Sequence, residues 1–174
     1  MKLKLACSDF TFPILPHDQA LQLISMLGIK GVDIGLFENR SHLQPSSEFE
    51  NVRRSARKLK RRLDDHGLVA ADIFLQLALD YESHAVNQPR SQRHRGAREA
   101  FLKALDYTAE CRGVHLTALP GVHFAEESRR DSLARAAEEL AWRVEKAKEH
   151  RITFAIESLT SAPSRTHPSG LRSS

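Results

Sequence analysis

Ile152-Thr153-Phe154-Ala155-Ile156-Glu157 is a short apolar run that ends in a carboxylate. In an extended chain Ile152, Phe154 and Ile156 share one side, and Thr153 and Glu157 take the other. That is the alternation of a strand with one buried face. Alone, the run could be any buried strand with a polar exit. Four strand-then-helix units precede it, and their strands carry polar residues in the same phase. After Glu157 the alternation stops.

Working outward, Lys2 to Ser8 reads as a first strand with Leu3, Leu5 and Cys7 on one face. A loop with Pro13 and Pro16 leads to Asp18, suited to a helix N-terminus. Leu21, Ile24 and Leu27 then form a helical stripe stopped by Gly28. Gly31 to Leu36 is the second strand and Val69 to Leu77 the third, with a helix from about Asn51 to His66 between them. Asp80 to Gly96 is a polar connection, longer than usual. His84 and His94 stand ten residues apart in it, at no standard metal spacing, and read as surface residues. A helix from about Ala97 to Cys111 carries Phe101, Leu102, Leu105 and Thr108. Val114 to Leu119 is the fourth strand, closed by Pro120-Gly121. In the last helix, Arg130 to Glu149, Leu133, Ala137, Leu140, Val144 and Ala147 are predicted inward, with Glu138, Glu139, Glu145 and Lys146 outward.

Strands alternating with helices in this way predict a parallel sheet covered by helices. A dinucleotide-binding doubly wound fold needs a glycine-rich first turn. Ser8-Asp9-Phe10-Thr11-Phe12-Pro13 contains no glycine. The better fit is a partial (β/α)8 barrel of about five parallel strands and four helices, occupying residues 1–158. Residues 159–174 are predicted to be an irregular, disordered tail.

A chain of 174 residues with 41% hydrophobic and 28% charged residues is ordinary for a soluble, well-cored domain. Its formal charge is +4, concentrated in the helix that carries Arg53, Arg54, Arg57, Lys58, Lys60, Arg61 and Arg62. Val52, Ala56, Leu59 and Leu63 leave those charges on the opposite face. With no aromatic residues interleaved for base stacking, this reads as the solvated outside of a barrel helix. Cys7 and Cys111 read as two buried, reduced thiols, which suits the cytoplasm. The N-terminus lacks a signal-peptide core, and no run approaches a membrane span.

Strand phase points to the chemistry. In a β/α barrel one strand face packs on helices, while the other fills the interior and can be polar near its top. Val32, Ile34 and Leu36 are predicted to face helices, leaving Asp33 inside. Ile73, Leu75 and Leu77 leave Asp72 and Gln76. Val114, Leu116 and Ala118 leave His115 and Thr117. Ile152, Phe154 and Ile156 leave Thr153 and Glu157. Ser8, Gln76 and Glu157 lie nearest the C-terminal strand ends, where barrel enzymes keep their sites. A carboxylate there can bind a divalent metal, serve as acid or base beside a carbonyl, or simply pair with a buried cation. His123 lies on the loop above the fourth strand, at the same face.

The Lys2-to-Ser8 strand, Gly28-Ile29-Lys30-Gly31-Val32-Asp33-Ile34-Gly35, Leu119-Pro120-Gly121-Val122-His123 and Phe154-Ala155-Ile156-Glu157 together carry a resemblance covering residues 1–158. They resemble the sugar phosphate isomerase/epimerase group of xylose isomerase-like TIM barrels, to which endonuclease-IV-type enzymes are related. The resemblance implies that Glu157 is a ligand to Mn²⁺, Mg²⁺ or Zn²⁺ and also the catalytic acid/base. The implied substrate is a small carbohydrate, and Gln76 and His123, by their strand-end and loop positions, are the lesser candidates for binding it. The further ligands implied, an Asp or Glu, a His and a second Glu, belong to strands six to eight. Tight metal binding by this chain is therefore not expected, and its activity is expected to be impaired. An endonuclease-type relative would carry further histidine ligands on strands two and three, where Asp33 and Gln76 stand. Nucleic acid and membrane partners are not expected. Ser158 to Ser174, SLTSAPSRTHPSGLRSS, reads as a truncated or frameshifted frame or a fragmentary gene model, with a native short protein bearing a disordered tail as the alternative. It leaves the first and fifth strands as open edges that invite self-association.

Overall fold

The computed structural model describes residues 4–158. The tail predicted over residues 159–174 lies outside the described residues, as does the start of the first predicted strand. β1 (Ala6–Ser8) leads through a single 3₁₀ turn (Asp9–Thr11) to α1 (His17–Met26). There follow β2 (Gly31–Phe37), the one-turn α2 (Pro45–Glu48), α3 (Val52–Asp65) and β3 (Val69–Gln76). The chain continues with α4 (Ser91–Glu110), β4 (His115–Ala118), α5 (Arg129–Glu149) and β5 (Thr153–Ile156). The strands form one parallel sheet in chain order, β1-β2-β3-β4-β5, the arrangement of a partial barrel. Four helices were expected; α2 is an additional one.

Local chemistry sets the element ends. Asn51 caps α3, its side chain accepting the Arg54 N–H at 3.1 Å. Ser128 caps α5 through the Asp131 N–H at 3.1 Å. Gly28, at φ +76°, ends α1 in the left-handed conformation that favours glycine. The helix-facing phase holds where strands are flanked on both sides. Val32, Ile34, Leu36, Ile73 and Leu116 are fully buried against Leu21, Ile24, Leu59, Leu63, Phe101 and Leu105. Each such side chain contributes about 1.5–3 kcal/mol.

At the margins the phase fails. Val114, just before β4, is 54% exposed, and Ile156, on edge strand β5, is 46% exposed. α5 is rotated from the predicted orientation: Leu133 and Val144 are exposed, while Glu139 and Arg143 are 3% exposed. Charges turn inward here because they neutralise one another. Glu139 accepts hydrogen bonds from Arg98 Nε (3.0 Å) and Arg143 Nη1 (2.9 Å), and His94 Nε2 lies 2.8 Å from it. The Arg98 guanidinium stacks 4.5 Å above the Trp142 ring. His94 is thus part of the α4–α5 interface and not a surface residue. The same contacts explain why α4 begins at Ser91, six residues before the predicted start: its polar first turns are anchored on α5. The thiols of Cys7 and Cys111 are free. Cys111 is buried, which pushes its thiol up to about 11, whereas Cys7 is only half-buried. No helix among the described residues is long and apolar enough to cross a membrane.

Candidate active site

The parallel register stacks the interior-facing side chains in layers. Ser8, Asp33 and Asp72 are in register across β1, β2 and β3. Gly35, Phe74, Thr117 and Ala155 form the next layer up, and Phe37 pairs with Gln76 above that. Phe37 meets Phe74 edge-on at 4.9 Å and Phe10 at the same distance. Gly35 permits this aromatic layer, since a Cβ there would stand 2.6 Å from the Phe10 ring.

Asp33 and Asp72 therefore lie beneath aromatic side chains, below the C-terminal face. Burial is the main cause that raises both carboxyls above their ordinary range, against hydrogen bonds from Ser8 and Thr117 respectively. A carboxyl whose folded pKa exceeds its unfolded value weakens the fold as pH rises from the unfolded value through the folded one. Ionising this pair is a cost in neutral solution, and nothing in its placement directs it at a substrate. His115 sits low in its strand, its Nδ1 3.1 Å from the Ala71 carbonyl oxygen. The ring is exposed, where an interior position was expected.

Gln76 and Glu157 occupy the C-terminal face. Leu75, Ala118 and Ile156 are in register, so each of the two residues stands one position beyond the same layer. With β4 between them their backbones are roughly 10 Å apart. The Glu157 N–H donates to the Ala118 carbonyl at 3.1 Å, which fixes the backbone while the side chain is exposed. Among the described residues, no cation pairs with it. Gln76 is fixed similarly, its carbonyl accepting the Glu38 N–H at 3.0 Å. Its Nε2 is buried without a partner among the described residues, at a cavity of about 60 Å³ that Asp80, Tyr81 and His84 also line.

His123 is exposed on the loop after β4, and Asn87 holds that loop. Asn87 is almost completely buried; its Oδ1 accepts the Val122 N–H (3.1 Å) and its Nδ2 donates to the Val122 carbonyl (2.7 Å) and Ser132 Oγ (3.0 Å). Gly121 makes room for it: a Cβ there would lie 2.5 Å from Asn87 Oδ1, and φ is +104°. Asn87→Ala should leave the Val122 backbone groups without partners, at about 2–3 kcal/mol. We expect a melting point lower by roughly 4–10 °C and faster hydrogen exchange at Val122. Unchanged exchange there would remove Asn87 from this role.

A second cluster at the end of β1 was not visible in the sequence. Asp9 is fully buried; its Oδ1 accepts the Gly35 N–H at 3.0 Å, and Oδ2 lies 3.1 Å from His17 Nε2. Arg62 donates to His17 Nδ1 at 3.1 Å, which assigns the ring proton to Nε2, and His42 stacks on the ring at 5.1 Å. These residues come from four separate segments with no diagnostic spacing. The only hint was Asp9 following Ser8 at a strand end. Asp9 Oδ1 and His17 Nδ1 are hydrogen-bonded within the protein and brace the β1 and β2 exits. Asp9 Oδ2 and His17 Nε2, 3.1 Å apart, are buried without an aligned hydrogen bond among the described residues.

The described residues do not compose a divalent-metal site. No three His, Cys, Asp or Glu side chains among them stand close enough to share an ion. Glu157 is one donor where such ions take four or more.

The family model for xylose isomerase-like TIM barrels matches residues 21–171. None of the curated proteins matches the sequence significantly. Among solved structures, D-psicose 3-epimerase from Clostridium cellulolyticum, determined with D-tagatose, superposes with a TM-score of 0.68 at 10% identity. The match covers 88% of this chain and 52% of that one. The 3-keto-D-glucoside 4-epimerase of E. coli gives 0.65 at 12% identity, covering 89% and 56%. A sugar phosphate isomerase/epimerase from Parabacteroides distasonis gives 0.62 at 14%, covering 89% and 51%. At these identities the likeness concerns the fold. The chain spans about half the length of these structures.

Proposed function

The chain belongs to the xylose isomerase-like TIM barrel family, and on that premise we propose that it provides the proton-transferring part of a sugar isomerase or epimerase site. The observation that carries this reading is the position of Glu157. It is a carboxylate held by backbone pairing at the C-terminal end of β5, exposed and level with Gln76 across β4. A base so placed can remove a proton from the carbon beside a sugar carbonyl and return it to the neighbouring carbon on the same face, which is isomerisation. Inversion at the first carbon needs a second acid on the opposite face, which the whole enzyme would have to supply. Gln76 and His123 supply hydrogen-bonding groups for sugar hydroxyls on either side of the β4 exit. Mn²⁺, Mg²⁺ or Zn²⁺ belongs to the proposal for the whole enzyme, but the described residues supply one of its donors.

The test is to incubate the protein expressed from its complete transcript in D₂O with a panel of ketopentoses and ketohexoses, free and phosphorylated. NMR then reports deuterium at the carbons beside the carbonyl. Incorporation above the buffer rate, with an isomer accumulating, is expected for at least one sugar; no incorporation with any of them overturns the reading.

A second reading is self-association through the open sheet edge. Exposed Leu133, Val144 and Ile156 beside β5 favour it. It requires a discrete dimer in size-exclusion chromatography, and a monodisperse monomer rules it out.

A further inference from the structure

α3 carries the strongest concentration of charge on the molecule. Seven cations stand against Asp64 and Asp65 within the helix, a surplus of five, on a chain whose formal net charge is +4. Outside this helix the protein is close to neutral. Three of the seven have side-chain partners: Arg57 with Glu110, Lys60 with Asp64, and Arg62 with His17. Arg53, Arg54, Lys58 and Arg61 form no ion pair among the described residues, and all four are exposed. They occupy two neighbouring helical rows over about 12 Å of axis. Arg53, Arg54, Arg57, Lys60 and Arg61 line a shallow trough of about 570 Å³, together with Asn51 and with Asp64, the carboxylate paired with Lys60.

Among the described residues this face is open. α3 is flanked on one side by α1, through Arg62 and His17, and on the other by α4, through Arg57 and Glu110. Its inner side is taken by Ala56, Leu59 and Leu63, all buried. Among the described residues, no strand or helix covers the outer face.

We infer that the outer face of α3 docks on the phosphodiester backbone of a double-stranded nucleic acid, without regard to sequence. The cations select an anionic partner. The predominance of arginine, whose planar fork matches phosphate oxygens, favours phosphates over scattered carboxylates. An anionic membrane surface would be met by apolar side chains set among the cations, and α3 turns its apolar residues inward. Single strands are gripped by aromatic stacking, and the exposed face of this helix carries no aromatic residue. A duplex, with one phosphate charge per roughly 1.7 Å of axis, needs only a row of cations. The candidate active site, at the strand ends, is a separate surface, so this inference stands or falls independently of the proposed sugar chemistry.

The test is fluorescence anisotropy of a labelled DNA duplex of about 20 base pairs, titrated with the full chain in roughly 50–200 mM KCl. Four unpaired cations predict a log–log salt slope of about −3.6 and an affinity that falls about 150-fold across that range. An unrelated duplex sequence should bind equally well. Exchanging Arg53, Arg54, Lys58 and Arg61 together for Gln, a comparable helix former, should weaken binding at least about tenfold at low salt and flatten the slope. The charge-keeping set Arg53→Lys, Arg54→Lys and Arg61→Lys should retain both, and Arg129→Gln with Arg130→Gln should change neither. Three results overturn the inference: no duplex binding at the lowest salt, undiminished binding by the glutamine variant, or displacement of the duplex by phosphatidylserine vesicles at equal phosphate.

Discussion

Glu157→Gln is expected to lower deuterium incorporation into the reactive sugar by about 10³-fold while leaving the fold intact, the size of effect that follows loss of a positioned general base. The substitution keeps the length and hydrogen-bonding shape of the side chain and removes its basicity. Glu157 holds its place through its backbone N–H, which donates to Ala118, and its side chain is exposed. Stability should therefore change by no more than about 0.5 kcal/mol, or roughly 2 °C in melting point. The comparison separates chemistry from structure, because a residue that merely supported the strand end would affect both. Undiminished exchange in the glutamine variant, with the wild type active, would remove Glu157 from the reaction and direct attention to other groups on the C-terminal face.

Glu139→Ala is expected to have the largest effect on stability. It strips the buried Arg143 of its carboxylate and also takes the partner of Arg98 and His94. Removing one member of a buried pair costs about 3–5 kcal/mol, because the remaining charge is left desolvated. A drop in melting point of about 6–20 °C follows for a domain of this size. Burial pushes the Glu139 carboxyl up, but hydrogen bonds from Arg98, His94 and Arg143 outweigh it and hold the group below its ordinary value. A depressed folded pKa contributes stability above the unfolded value, near 4.5, that is lost as pH falls through the folded one. Arg143 shows the opposite balance: burial lowers it below the ordinary guanidinium range despite Glu139. The carboxylate therefore carries the favourable side of the pair. The gap in melting point between wild type and variant should be widest near neutrality and narrow on acidification below about pH 4.5. A gap that stayed constant with pH would mean that lost packing, not the ion network, accounts for the change.

Much of the fold was legible because strand and helix periods are local properties. Val32, Ile34 and Leu36 alternate with Asp33, and Ala56, Leu59 and Leu63 repeat at helical spacing; each pattern marks a buried face within a few residues of chain. From these the alternating βα units, the parallel sheet and the strand-end placement of Gln76 and Glu157 followed. α5 was misread for the same reason. Its apolar residues repeat at helical spacing, yet the side turned to α4 carries Glu139 and Arg143. A local hydrophobic count cannot foresee that Arg98 and His94, some forty residues earlier, will neutralise them.

The sequence by itself determined the order of the five strands and the four long helices, the partial-barrel class, and which residues reach the C-terminal face of the sheet, because period and strand phase are written into neighbouring residues. Only the tertiary structure decided three other matters. It set half-buried Asp33 and Asp72 in the layer below Phe10, Phe37 and Phe74, tied Val122 and Ser132 to Asn87, and gathered Asp9, His17, His42 and Arg62 at the end of β1. Each of these joins side chains from segments far apart in sequence. Their burial and partners exist only once the sheet has brought those segments together, so no local spacing could encode them.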